Sequence, residues 1–270
     1  MFKLFLNILA VYALLISPVH AKGWQGLYVG LSTGGVNPNG QIKSEVIGGA
    51  HAGGTNSASL DMMHAMQNGM NGLYFSRNSE HISDFNAGYN WINKDFLFGV
   101  EAAWSNMALQ QNAVFDRSSR FANSPLTKFE SRLQINEKMR QIFVLSGRLG
   151  YVKNRFLIYG RLGLSAADIR SSASFSGGVD VPATLKVLNN NFEKSAYKFG
   201  IISAIGLEYQ FFSNWRAKVE YFHINFGENK YNYTAVSRDS QSLNFYAAST
   251  ASATSAWKIG ILKIGVVYNF

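Results

Sequence analysis

The densest group of side chains able to do chemistry lies in one short segment. Residues 59–67 (SLDMMHAMQ) have the composition of a short helix and place His64 beside Met63 and Met66. Histidine and methionine are common axial ligands of haem iron, so these three residues are candidate haemin contacts. Methionine is also a flexible apolar residue that fills gaps. The alternative is therefore that the segment covers an apolar surface of the protein or of a partner.

A second group consists of charged side chains at alternate positions in segments that are otherwise apolar or small. Its ten members are Asp84, Glu101, Arg148, Arg161, Lys198, Glu208, Arg216, Lys218, Glu220 and Lys263. Alternate residues of a β-strand share a face. If that face is enclosed, four acids and six bases must pair, because a lone buried charge is prohibitively costly. The pattern predicts an ion-pair network that fills and stiffens the interior or, alternatively, lines a narrow pore that favours anions.

The elements that must position these residues are β-strands. Alternation predicts eight of them, at residues 24–34, 81–92, 96–107, 138–152, 156–167, 196–210, 215–226 and 256–270. Three connections are tight turns, at residues 93–95, 153–155 and around 213–214, and their Asn, Asp and Ser residues suit such turns. Four are long, at about residues 35–80, 108–137, 168–195 and 227–255. Short and long connections alternate, as in membrane-spanning barrels with periplasmic turns and extracellular loops.

The amino terminus predicts export. Residues 1–21 contain Lys3, an apolar run over 8–16, and Pro18 before Val19-His20-Ala21, which is the layout of a signal peptide cleaved after about Ala21. An uncleaved anchor is the alternative. Residues 22–270 would form one domain, without cysteine and therefore without disulfides or thiolate metal sites. Net charge is +9, but the basic residues are scattered, so nucleic-acid binding is not expected.

The last strand carries the most specific pattern in the chain. Every second residue is large and apolar: Leu262, Ile264, Val266, Tyr268 and Phe270. This strand resembles the closing strand of bacterial outer-membrane β-barrels. The resemblance implies that these residues form the signal read by the barrel-assembly machinery.

Other strand segments resemble the same class of proteins. They are residues 23–30 (GWQGLYVG), 147–151 (GRLGY), 158–163 (IYGRLG), 206–209 (GLEY), and Trp215 followed by residues 219–221 (VEY). The chain resembles the small outer-membrane surface-antigen and opacity proteins, a family that includes haemin-binding members. The resemblance implies an all-β, eight-stranded antiparallel transmembrane barrel in the bacterial outer membrane. Its partners would be membrane lipid and lipopolysaccharide, the assembly machinery, and host surface molecules or haemin.

The orientation of the strand faces separates this barrel from a secreted lipocalin-like one with an apolar interior. Glycines recur on the polar face, at positions 88, 99, 150, 163, 200, 206 and 265. A narrow lumen needs small residues, whereas a face in water gains nothing from them. The opposite face is nearly uncharged, and aromatic residues gather near the short turns, as at a membrane interface. We therefore expect the apolar face to contact lipid.

Taken together, these patterns predict a structural surface antigen or adhesin whose loops hold its specificity. The alternatives are a haemin-capture protein and a narrow ion pore. An enzyme is not expected. Lipid A deacylase barrels resemble this chain in size, but their catalytic histidine is followed two residues later by serine, whereas His223 is followed by Asn225. No metal site is expected, and no cofactor other than haemin.

Overall fold

The protein is described here by a computed structural model that covers residues 23–52, 57–76, 80–121, 124–179, 185–188, 190–239 and 246–270. The signal peptide predicted at residues 1–21 lies outside these ranges. The elements are β1 Gly26–Ala52, α1 Ser57–Met70, β2 Gly72–Ser76, β3 Glu80–Asn93, β4 Phe96–Phe121, β5 Ser124–Lys153, β6 Phe156–Val179, β7 Leu185–Leu188, β8 Asn190–Gln210, β9 Trp215–Asp239 and β10 Tyr246–Asn269.

Eight long strands form one antiparallel sheet that closes on itself. β1 pairs with β3 on one side and with the last strand, β10, on the other. From β3 the order runs through β4, β5, β6, β8 and β9 back to β10. The short strand β2 pairs with β1, and β7 pairs with β6 and β9. The predicted eight-stranded up-and-down barrel is confirmed. Within the ranges given above, no helix is long and apolar enough to cross a bilayer.

Side chains of the closing strand alternate between outside and inside. Leu262 and Ile264 are 55% and 58% exposed, while Lys263 and Val267 are buried. Equivalent residues of neighbouring strands, such as Leu145 on β5, are also exposed. Together these residues form an apolar surface that runs around the outside of the barrel. We call this surface the band. The predicted orientation is confirmed, and the lipocalin-like alternative is wrong for this part of the barrel.

The short connections lie at one rim, as predicted. β3 and β4 are joined through Lys94-Asp95, β5 and β6 through Asn154-Arg155, and β8 and β9 through residues 211–214. Lys94 and Asn154 each have a left-handed backbone, with φ of 57°. This conformation lets two residues reverse the chain between paired strands.

The chain end is tied into the same rim. The Phe270 amide donates to the carbonyl of Leu27 at 2.9 Å. The Tyr268 ring lies between Trp215 and Phe270, with centroids 5.1 Å from each. The outward aromatic residues of the last strand therefore form part of an aromatic girdle at this edge of the band.

The strands extend far beyond their predicted ends, which corrects the sequence analysis. Much of the chain assigned to loops at 35–80, 108–137, 168–195 and 227–255 lies in strands. Seven of the eight long strands have 21–30 residues, whereas about 9–11 residues cross a bilayer. The prediction failed because alternation persists there with small side chains. The far half of β10, for example, alternates Ala with Ser and Thr, a composition typical of loops.

The interior beyond the band is apolar, which was not predicted. Helix α1 lies inside the end opposite the short turns and packs against β1, β4, β5 and β10. Its Met62, Met66 and Met70 side chains are fully buried. A second apolar layer, which includes Met139 and Trp257, lies between the helix cluster and the charged interior. Beyond the band, therefore, the large apolar side chains face inward and the outward face is mostly polar.

One section of the wall lacks strand pairing. β8 and β9 pair from Gln210 and Arg216 up to Ile201 and Asn225. Farther from the rim, among the strands described here, residues 190–200 of β8 pair only with β6, and residues 228–235 of β9 pair only with β10. We call the space between these two edges the slot. Phe192 stacks on Tyr231 across it, with ring centroids 5.3 Å apart, and β7 pairs with β9 at its far end.

Candidate functional site

The interior at the level of the band brings together nine of the ten charged residues singled out in the sequence. Seven strands contribute them. They are Asp84 (β3), Glu101 (β4), Arg148 (β5), Arg161 (β6), Glu208 (β8), Arg216, Lys218 and Glu220 (β9), and Lys263 (β10). Each is at most 3% exposed, and each has at least one oppositely charged partner within 4.0 Å. We call this set the charge network.

Arg161 lies at the centre of the charge network. Its Nη1 is 2.7 Å from Glu101 Oε1 and 2.8 Å from Glu220 Oε1. Its Nε and Nη2 donate to the Ser146 hydroxyl at 3.2 and 3.0 Å. The planar guanidinium has several fixed donors, so a single side chain connects β6 to β4, β5 and β9.

Arg148 is held between two tyrosine rings. Its Nη2 donates to Glu208 Oε1 at 2.8 Å. The guanidinium carbon lies 4.1 Å from the centre of the Tyr159 ring and 5.3 Å from that of Tyr28. Tyr28 in turn donates its hydroxyl to Glu101 at 2.7 Å. Aromatic faces attract cations, so the tyrosines stabilise the buried arginine from both sides.

Two inward glycines make room for these tyrosines. A Cβ atom on Gly206 would lie 2.3 Å from Cζ of Tyr159, and one on Gly88 would lie 2.5 Å from the Tyr28 hydroxyl oxygen. Both distances are far below van der Waals contact. The glycines on the inner face therefore serve close packing of the interior.

The outer members of the charge network tie the remaining strands together. Lys263 Nζ lies 3.3 Å from Asp84 Oδ2 and 3.7 Å from Glu220 Oε2. Arg216 Nη1 lies 3.3 Å from Glu208 Oε2. Lys263 and Asp84 join β10 to β3 across the intervening β1, whereas the other two pairs join neighbouring strands and so hold them in register.

The structure does not bring the tenth charge, Lys198, into the charge network. Lys198 lies half-buried on β8 beside the slot, and no ion pair joins it to a carboxylate of the described residues. It was grouped with the others because it shares the inner face, but its position is beyond the band.

Sequence reasoning also missed a buried acid. Glu137 accepts hydrogen bonds from Ser171, Ser255 and Trp257 Nε1 at 2.9, 2.8 and 2.8 Å. It was overlooked because the predicted strand began one residue later. Alternation counted back from Arg148 would place Glu137 on the outward face, because the register shift between Met139 and Ile142 exchanges the two faces of the strand.

The structure separates the three candidate haemin contacts. α1 turns Met63 and Met66 into the apolar interior, whereas His64 lies on the exposed side of the helix. Successive residues of a helix point about 100° apart, so His64 cannot share the methionine face. The three side chains do not fit one haem pocket. They fit the alternative interpretation, in which the methionines fill apolar space.

His223 lies on the outward face of β9, near the far edge of the band. It lines a surface depression of about 700 Å³ together with Tyr221, Lys258 and Gly260. Hydrolytic use of a histidine needs a nucleophile and an orienting carboxylate. The described residues that line this depression include no serine and no acid.

Known proteins share this architecture. The family model described as "Outer membrane protein beta-barrel domain" matches residues 8–270. No curated protein sequence matches the chain.

Three solved structures illustrate the likeness. The chain is similar to Neisserial surface protein A at 13% identity, covering 91% of this chain and 97% of that one, with a TM-score of 0.34. It is similar to OprG from Pseudomonas aeruginosa at 11% identity, covering 92% and 98%, with a TM-score of 0.40. It is also similar to the outer membrane protease OmpT from Escherichia coli at 12% identity, covering 91% and 97%, with a TM-score of 0.40.

Proposed function

We propose that this chain, which belongs to the outer membrane β-barrel family, is a surface-display protein in which a sealed barrel anchors a long extramembrane structure. The length of the strands is the observation that carries the proposal. β5 has 30 residues, of which about 10 suffice to cross the membrane. The rest of the strand continues, hydrogen-bonded to its neighbours, beyond the band.

The packed interior favours display over conduction. The charge network is closed to water, since none of its nine side chains is more than 3% exposed. Beyond it lie an apolar layer and then α1 with its buried methionines. An eight-stranded barrel is just filled by side chains, and here a helix occupies the far end as well.

The outward face beyond the band suits contact with molecules outside the cell. It is polar and held in place by the sheet, as at Thr234 and Thr250, whose hydroxyl oxygens are 2.9 Å apart across β9 and β10. A rigid polar platform loses little conformational entropy when it binds. We therefore assign adhesion to host surface molecules to this outer part of the barrel.

Conductance in planar bilayers tests the sealed barrel. The purified full-length chain is expected to give no single-channel steps above those of an empty bilayer. A variant in which residues 57–70 are replaced by a Gly-Ser linker and Arg161 by Ala serves as the opened control. Steady ohmic steps from the wild-type chain would overturn the sealed-barrel part of the proposal.

Adhesion is tested by shortening the extramembrane strands in register. Asn112 and Asn136 face each other on β4 and β5, so deleting residues 112–136 and joining the ends with Asn-Gly preserves the pairs below them. Non-adherent bacteria carrying the full chain should bind host cells or matrix, and those carrying the shortened chain should not. A matched deletion of residues 229–255 on β9 and β10 shows which side contributes. The adhesion proposal fails if the full chain binds no better than empty cells.

A further inference from the structure

A group of cations lies where the band ends on its far side. On β5 the outward residues Leu149 and Leu145 are 55% and 66% exposed. On β8, Phe199 is 76% exposed beside Ala166 of β6, which also faces Phe143 of β5. The next outward positions are Gln141 on β5, Asp168 on β6 and the amphipathic Tyr197 on β8. The change in outward residues at this level marks an edge of the hydrocarbon. It is the outer edge, because the short turns lie at the opposite, periplasmic rim.

Directly beyond this edge, Lys138, Arg140 and Arg170 are all exposed on the outward face. Lys138 of β5 pairs in register with Arg170 of β6. Between Met139 and Ile142 the register shifts, so Arg140 and Gln141 together face the single β6 residue Asp168. This bulge places an additional cation on the outer surface next to the other two. Bulges commonly re-aim a side chain in this way.

The three cations have a single carboxylate, Asp168, beside them. Asp168 Oδ2 lies 3.8 Å from Arg170 Nε, and its other oxygen accepts a hydrogen bond from Ser195 at 2.8 Å. Among the described residues, no ion pair within 4.0 Å joins Lys138 or Arg140 to an acid. Like charges placed directly opposite on paired strands destabilise a sheet, so an anion from outside would relieve the repulsion.

Three other outward cations beyond the band do have carboxylate partners. Arg132 lies 3.6 Å from Asp116, Lys230 lies 3.7 Å from Glu228, and Lys43 pairs with Glu45. At the level of the lipid head groups, Lys138 and Arg140 have no such partner among the described residues. Cations near a membrane surface attract anionic lipid head groups.

We propose that Lys138, Arg140 and Arg170 bind a phosphate group of an outer-leaflet lipid, whose acyl chains lie along Phe199 and Leu145 below. The site combines a cluster of cations with an exposed apolar surface immediately beneath it, which matches a phosphorylated lipid rather than a free anion. It concerns the membrane side of the barrel and is independent of the adhesion proposed above.

Native mass spectrometry of the purified full-length chain in neutral detergent tests the site. The probe is diphosphoryl lipid A, compared with the same lipid A after removal of its phosphates. The wild type should bind the phosphorylated form at least about tenfold more tightly. The variant K138Q/R140Q/R170Q should lose this preference. The matched variant K43Q/R132Q/K230Q carries the same charge change at the partnered cations and should bind within about twofold of the wild type.

Each alternative outcome counts against the proposal. Equal binding of the two lipid forms by the wild type would show that acyl chains alone are held, and this comparison needs no variant to fold. Equal losses in the two triple variants would show a response to net charge alone. If inorganic pyrophosphate at the same concentration displaced lipid A, the site would bind small anions and the lipid assignment would be overturned. Heat-modifiable gel mobility shows that both variants fold.

Discussion

The part of the barrel within the band and the part beyond it are built with opposite polarity. Within the band, Leu145 faces out and Arg161 faces in. Beyond it, Thr234 faces out and Met66, on the helix, fills the interior. The same long strands run through both parts, although the register between β5 and β6 shifts at residues 139–142 and the pairing of β8 with β9 ends at Ile201. The comparison teaches that the surrounding solvent, hydrocarbon or water, decides which face of an alternating strand carries the apolar side chains.

The largest expected effect comes from breaking the centre of the charge network. Arg161→Leu leaves Glu101 and Glu220 buried without their shared partner, and we expect the free energy of unfolding to fall by about 3–5 kcal/mol. Urea unfolding in phospholipid vesicles, followed by gel mobility, measures it. Lys43→Leu, at an exposed pair, is the control and should change stability by less than about 1 kcal/mol. A small loss for Arg161→Leu would mean that the network is not needed within the band.

A single added charge probes the two outer surfaces. Leu145→Lys places an ammonium in the hydrocarbon and should lower the free energy of unfolding by roughly 2–4 kcal/mol. Thr234→Lys places the same group in water and should cost no more than about 0.5 kcal/mol. The same unfolding assay compares the two variants. Equal costs would contradict the polarity change at the edge of the band.

A smaller effect is expected from filling the space beside a buried tyrosine. Gly206→Ala puts a methyl group against the Tyr159 ring and should destabilise the barrel by about 1–3 kcal/mol. Gly160→Ala, on the outward face, is the matched control, because its Cβ would meet only the Ala204 carbonyl oxygen at 3.8 Å. The measurement is the temperature at which the gel mobility changes from that of the folded to that of the unfolded form. If this temperature falls equally in both variants, strand propensity rather than packing accounts for the loss of stability.

The smallest effect concerns the outer surface of β9 and β10. Thr234→Ala removes the cross-strand hydroxyl contact with Thr250, for an expected cost of about 0.2–1 kcal/mol. The loss should appear as faster amide exchange in this hairpin while the unfolding midpoint in vesicles stays unchanged. A shift of the global midpoint would show that the two parts of the barrel unfold as one unit.

The sequence predicts the part of the barrel within the band well, because large side chains mark the alternation there. On the closing strand, Leu262 and Ile264 are apolar and Lys263 between them is charged, so the two faces can be assigned in only one way. The tight turns at Lys94 and Asn154 follow from short polar connections between such strands. For the same reason, nine of the ten charged positions could be placed on one inner face before their contacts were known.

Beyond the band the same signal weakens, and the errors of prediction lie there. The far half of β10 alternates small residues, so its sequence predicts a loop rather than a strand. Glu137 fell one residue outside a predicted strand and Lys198 was placed too deep, since both depend on strand length and register. The direction in which α1 points its methionines depends on what surrounds it, and a helix pattern alone does not contain that information.

The slot has a consequence for how the wall can move. Pairing between β8 and β9 resumes at Ile201, whose exposed side chain belongs to the band. Hydrocarbon cannot satisfy free amide and carbonyl groups, whereas water can, so a seam in the sheet is tolerated only from the outer edge of the band, near Phe199, toward the aqueous side. The barrel can therefore widen along residues 190–200 and 228–235 without breaking a ladder hydrogen bond between them, and the first breathing motions of the cylinder should occur there.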